Sequence, residues 1–319
     1  MRGTRPGRRI AFALGALACL SGASCGDEAS PATPAELDAF RQAAGRLAAA
    51  ETTALPDRGR YAAERVWLRG TGGLVATGRI LRPREGSGCY AAALLQNGRE
   101  ENSEVVGRLP EDFGDVVVLA LDYPSEFPYS LTAGDLLKSG RLERPAREIP
   151  ALFLLGAQYL ASRTDVDTNR IVLAATSFAV PFATIAAAAE PLFANVALIY
   201  GAGDLPGVVA ANLRDVPRPL RRPAAAFALR RFAPLAPERY IAMISPRPVV
   251  MVNGADDPQM PADAVTQLYE RAMEPKSLVW LRTGHLMPTD SALIRTLIDT
   301  ALARLPALHD TTASAGCRS

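Results

Sequence analysis

The sequence predicts an α/β fold: a mainly parallel central sheet with helices on both faces, an antiparallel N-terminal hairpin and a small lid insertion. Three observations predict it. Apolar runs such as Tyr90–Leu95 and Asp115–Leu121 end at Gly- or Pro-marked turns, as strands buried on both faces do. Beyond them, strand-like and helix-like stretches alternate, which implies crossover connections and a covered parallel sheet. Earlier, Glu64–Leu68 and Leu74–Leu81 flank Gly70–Thr71–Gly72–Gly73, a hairpin signal.

In chain order, residues 1–25 read as an export signal. Arg2, Arg5, Arg8 and Arg9 precede an apolar run from Ile10 to Leu20 and the small residues Ser21–Gly22–Ala23–Ser24. The run falls short of the ~20 apolar residues that span a bilayer. Cys25 then resembles a bacterial lipoprotein site, with Gly22 where such sites usually carry Leu; a plain secreted protein cleaved nearby is the alternative. The expected location is therefore the periplasm or outer surface, as a lipoprotein, or otherwise the medium. Residues 26–60 are expected to hold a linker and a helix over Leu37–Ala50, whose spacing and Ala content favour helix.

The main domain is expected over 61–308. Its alternation runs through a helix at Arg147–Arg163, a strand at Arg170–Ala174, a small-residue helix from Ser177 to Ala189 and a strand at Val196–Tyr200. It resumes with a strand at Arg247–Asn253, a helix at Pro261–Met273, a strand at Ser277–Leu281 and a helix at Ser291–Leu305. Residues 205–240, rich in Pro, Arg and Leu, interrupt it after Tyr200. Loops at strand carboxyl ends carry function in open sheets, so this stretch reads either as a lid or as a structural helix pair. Residues 309–319 read as a disordered tail.

Composition excludes several functions. The 319 residues carry a net charge of +2, which gives no global attraction for nucleic acid. The basic residues are almost all Arg, with Lys only at Lys138 and Lys276. No Cys and His spacing suits a zinc site, and no cofactor is implied. An oxidising compartment permits a Cys89–Cys317 bond, but sequence does not show their separation in space, and two unrelated thiols are expected.

The chemistry centres on Ser177. A hydrophobic strand, a serine between small residues and an Ala-rich helix form a sharp strand-to-helix turn that projects Oγ from the sheet. The positions two before and two after the serine are Ala175 and Ala179, where Gly is usual. The N–H of Phe178 is one candidate oxyanion donor. Gly98 or Arg99, in the loop after Tyr90–Leu95, is expected to supply the second. The chain has two histidines, and His309 lies in the tail. His285, on the loop after Ser277–Leu281, is therefore the candidate base. An acid should lie between serine and histidine in the chain. Asp257 ranks first, then Asp204, then Asp256.

The segments DVDTNRIVLAATSF, PRPVVMVNGADDPQMP and EPKSLVWLRTGH resemble the α/β-hydrolase superfamily, particularly its dienelactone hydrolase-like and prolyl-oligopeptidase-like esterase branches. The resemblance covers roughly residues 60–305. In that family an Asp sits three residues after the turn Gly and a Pro follows within a few residues, a pattern matched by Gly254, Asp257 and Pro261. The usual His–Gly after the third strand is Asn97–Gly98 here. The resemblance implies a Ser-His-Asp carboxylic ester hydrolase acting on a small-molecule ester, with no nucleic-acid partner and no membrane contact beyond a lipid anchor. A peptidase or amidase with the same triad, and a catalytically inactive binding lipoprotein, are the alternatives. The Arg-rich insertion reads either as favouring anionic substrates or as the solvated surface that exposed Arg usually forms.

Overall fold

Thr33 caps the first helix, α1 (Pro34–Ala44), and shares a capping box with Glu36, so the helix starts where its free N–H groups find oxygen. It stops short of the expected Ala50. Gly45 takes φ 63° and lies so close to the hairpin turn that a Cβ there would meet Thr71 Oγ1 at 2.6 Å. The following residues form β1 (Leu47–Arg58), paired antiparallel with β2 (Tyr61–Gly70). Tertiary pairing thus overrides the helical propensity of an Ala-rich run. β1 is an exposed edge strand interrupted at Pro56, a feature that discourages further strand pairing.

The computed structural model describes residues 30–85, 88–98, 102–126, 132–287, 290–309 and 317. The expected signal at 1–25, the lipidation site Cys25 and the oxyanion candidate Arg99 lie outside them, as does most of the 309–319 tail. The remaining strands are β3 (Val75–Pro83), β4 (Tyr90–Gln96), β5 (Val116–Leu121), β6 (Val166–Thr176), β7 (Phe193–Ile199), β8 (Val249–Gly254) and β9 (Lys276–Leu281). They form one sheet in the order β1-β2-β3-β5-β4-β6-β7-β8-β9. The β2–β3 hairpin forms as expected; β3 joins β5 antiparallel, and all pairings from β5 through β9 are parallel.

The helices after α1 are α2 (Ala133–Leu137), α3 (Glu143–Ser162), α4 (Val180–Ala189), α5 (Leu205–Asn212), α6 (Arg218–Leu229), α7 (Ala262–Arg271), α8 (Ser291–Leu302) and α9 (Pro306–His309). Strand β5 shows how both faces are covered. Val117, Leu119 and Leu121 join the main core with Phe153 and Leu155 of α3. Val116, Val118 and Ala120 join a second core with Val105, Leu109 and Ile298 of α8. Alternate residues of a strand point to opposite faces, and all six residues of β5 are buried. Among the described residues no helix is long and apolar enough to cross a membrane.

Residues 205–240 fold as α5, α6 and two short 3-10 turns. Leu213 and Ala225 of this stretch form a small apolar cluster with Leu136 of α2. The chain's end holds a correction. Cys89 and Cys317, expected as separate thiols, are disulfide-bonded with Cα atoms 5.9 Å apart. Local contacts explain the approach: Arg170 of β6 donates to the Ala307 carbonyl at 2.9 Å, and the Ala307 N–H donates to Asn195 of β7 at 2.8 Å. These bonds hold α9 against the sheet near the start of β4.

Candidate active site

Ser177 sits between β6 and α4 with φ 53°. A left-handed conformation in a residue other than Gly costs about 1–3 kcal/mol and persists only where surrounding structure imposes it. Here β6 is paired on both sides, with β4 and β7, and the flanking Ala175 and Ala179 are fully buried. The sharp turn therefore forms with Ala at both positions where Gly is usual.

The structure brings the three expected side chains together. Ser177 Oγ lies 3.2 Å from His285 Nε2, and His285 Nδ1 lies 2.6 Å from Asp257 Oδ2. A carboxylate only accepts hydrogen bonds, so Nδ1 carries the proton toward Asp257 and Nε2 is left to accept from the serine hydroxyl. The other oxygen of Asp257 accepts from the Gln259 N–H at 2.8 Å, and its side chain is wholly buried. The competing acids lie elsewhere. Asp204 pairs with Arg222 at 2.6 Å and caps α5, while Asp256 is exposed.

Each loop has identifiable supports. The turn after β8 is laced to the loop after β9: the Ala255 N–H donates to Leu281 at 2.7 Å and the Asp256 N–H to Thr283 at 3.1 Å. Gly254 permits this approach, since a Cβ there would come within 2.5 Å of the Thr283 carbonyl and 2.9 Å of the Gly284 carbonyl. Tyr200, at the end of β7 with φ 53°, donates its hydroxyl to the Gly284 carbonyl at 3.0 Å. Its ring meets the His285 ring edge-on at 5.1 Å. Burial raises the Tyr200 phenol above its ordinary pKa, which keeps it a donor.

Of the oxyanion candidates, Phe178 and Gly98 line the same cavity as Ser177. One side chain supports both. Tyr123 donates to the Asn97 carbonyl at 2.6 Å, and its ring packs edge-on against Phe178 at 5.4 Å. Burial drives its phenol pKa strongly upward, so it remains protonated. Tyr123 itself is not on the cavity lining and acts from behind it. The roles of Tyr123 and Tyr200 had no sequence signal, because each depends on contacts between distant loops. Among the described residues no group of three or more His, Cys, Asp or Glu side chains is placed to hold a metal ion.

A cavity of about 800 Å³ opens over Ser177 and His285. Its walls include Leu205, Val208 and Val209 of α5 and Leu229 of α6, so the insertion covers the site.

No family model and no curated protein matches the chain. Solved structures do. An acetyl xylan esterase from Paenibacillus sp. R4 superimposes with a TM-score of 0.63 at 15% identity, over 85% of this chain and 95% of that one. Acetyl xylan esterase 1 from Thermoanaerobacterium sp. JW/SL YS485 gives a TM-score of 0.61 at 15% identity, over 84% and 94%. An α/β-hydrolase from Penicillium sp. sh18 gives 0.52 at 14% identity, over 81% and 99%. Identities this low speak for architecture alone. Together with the strand order and the turn at Ser177, they establish that this chain has the α/β-hydrolase fold.

Proposed function

We propose that the protein is a serine hydrolase acting on carboxylic esters. The observation that carries this reading is the continuous hydrogen-bonded line from Ser177 Oγ through His285 to the buried Asp257. In the proposed cycle His285 Nε2 takes the Ser177 proton as Oγ attacks the ester carbonyl. Asp257 holds the imidazole tautomer and stabilises the imidazolium. The N–H groups of Phe178 and Gly98 are the proposed donors to the oxyanion, the position at which fixed dipoles contribute most. His285 then gives its proton to the departing alcohol, leaving an acyl-serine. Water, deprotonated by the same imidazole, releases the acid.

The esterase names of the structural neighbours support the ester reading. Labelling by an alkyl fluorophosphonate tests it. Wild type is expected to label on Ser177, and Ser177→Ala to lose both label and esterase activity while keeping its fold by circular dichroism. An unlabelled wild type would make the protein a binding module instead. We further propose that the enzyme works outside the cytoplasm. The Cys89–Cys317 disulfide supports this; recovery of the native protein from cytoplasm with both thiols free would contradict it.

A further inference from the structure

The described lining of the cavity is mainly apolar. At about 800 Å³ it lies toward the upper end of small-molecule sites and far exceeds what an acetyl group fills. On the body side it is walled by Leu95, Val105 and Leu109, and near the nucleophile by Phe178, Phe182 and Phe232. The insertion closes it with Leu205, Val208, Val209 and Leu229. Among the described residues the charged ones on its lining are Arg108, Asp135, Arg214 and Asp215, which balance in sign. Arg108, Arg214 and Asp215 are exposed positions, and Asp135 is engaged in capping α2. The described lining also carries Asn97, Thr132, Ser139, Thr176, Asn212 and Gln259, but aliphatic and aromatic side chains make up most of it, so a polar substituent seated there would give up water for few partners.

The arginines of the insertion do not reverse this. Arg222 pairs with Asp204 at 2.6 Å, Arg221 donates to the Val216 carbonyl at 2.8 Å, Arg231 lies 3.6 Å from Glu143, and the Arg230 guanidinium sits 4.3 Å over the Phe227 ring. None of the four lines the cavity. The insertion's arginine on the described lining is Arg214, at an exposed position; beside it the segment presents Leu205, Val208, Val209 and Leu229 to the site.

Resting on the esterase reading above, we propose that the substrates are neutral esters with an extended apolar substituent of several methylenes, seated between the body and the α5–α6 insertion. Full burial of each added methylene is worth roughly a fourfold gain in kcat/KM.

The test uses the full chain with p-nitrophenyl esters from acetate to decanoate, alongside acetates of alcohols from ethyl to octyl, to cover both ends of the ester. The expected result is a rise of about two orders of magnitude in kcat/KM between two-carbon and six-carbon substituents in at least one series. Val208→Asn is expected to compress that ratio about tenfold, since it sets an amide where the chain would lie. Profiles that are flat or favour the shortest chain in both series would overturn the proposal, as would a ratio untouched by Val208→Asn. Fluorophosphonate labelling separates the two levels. Labelled enzyme with flat profiles loses only this substrate class; enzyme that neither labels nor turns over any ester loses the esterase reading and this inference with it.

Discussion

Ser177 leaves a strand with parallel neighbours on both sides, whereas His285 leaves β9, the outermost strand, which has one partner. The residues of β6 leading to the serine, Ile171–Leu173 and Ala175, are fully buried. The residues of β9 are half-buried or exposed. Core packing and a left-handed backbone therefore fix Ser177, the proposed nucleophile. A few loop contacts fix the base: Asp257 on its Nδ1, the Tyr200 hydroxyl on the preceding carbonyl, and the close passage of Gly254. The difference implies that the two ends of the proposed relay fail in different ways. Damage at the serine turn should be paid in stability, and damage around His285 in activity.

The sharpest way to separate these is Asp257→Asn. On the proposed mechanism the amide forces the wrong imidazole tautomer, and kcat is expected to fall by about four orders of magnitude with a near-native melting curve. A loss below tenfold would remove Asp257 from the relay. Gly254→Ala comes next. Its methyl would push the Thr283 and Gly284 carbonyls outward and carry His285 with them. Displacement on the scale of 1 Å costs about a hundredfold, read as kcat/KM in a variant that still labels slowly. Tyr200→Phe is expected to have the smallest effect. It removes the hydroxyl's contacts with the Gly284 carbonyl and Thr283 Oγ1 and keeps the ring, so kcat should drop about tenfold with KM unchanged. If Tyr200→Phe lowers the melting temperature sharply and leaves kcat alone, Tyr200 serves the core and not the base.

The same contrast describes what the sequence made legible. The strand, serine and helix around Ser177 are contiguous in the chain, so their pattern reads directly. His285 was legible by scarcity, as the histidine outside the tail, and Asp257 by its interval from Gly254. What escaped is what depends on distant partners. Residues 47–50 look helical because their local preference is helical; pairing with β2 decides otherwise. Tyr200 and Tyr123 carry no local mark of the carbonyls they hold. The insertion's composition left anion binding and plain solvation both open, because composition does not say which side of a helix faces the site. The Cys89–Cys317 bond was out of reach for a similar reason, since its halves stand 228 residues apart.

That bond has a topological consequence. It turns everything from β4 through α9 into a covalent ring, and Ser177, Asp257 and His285 all lie on it. A single proteolytic cut in any loop between the two cysteines opens the ring without severing it. A nicked molecule becomes two chains with new ends at the cut, joined through the disulfide, so the three proposed catalytic residues stay within one covalent molecule. It comes apart only when a reductant and a protease have both acted.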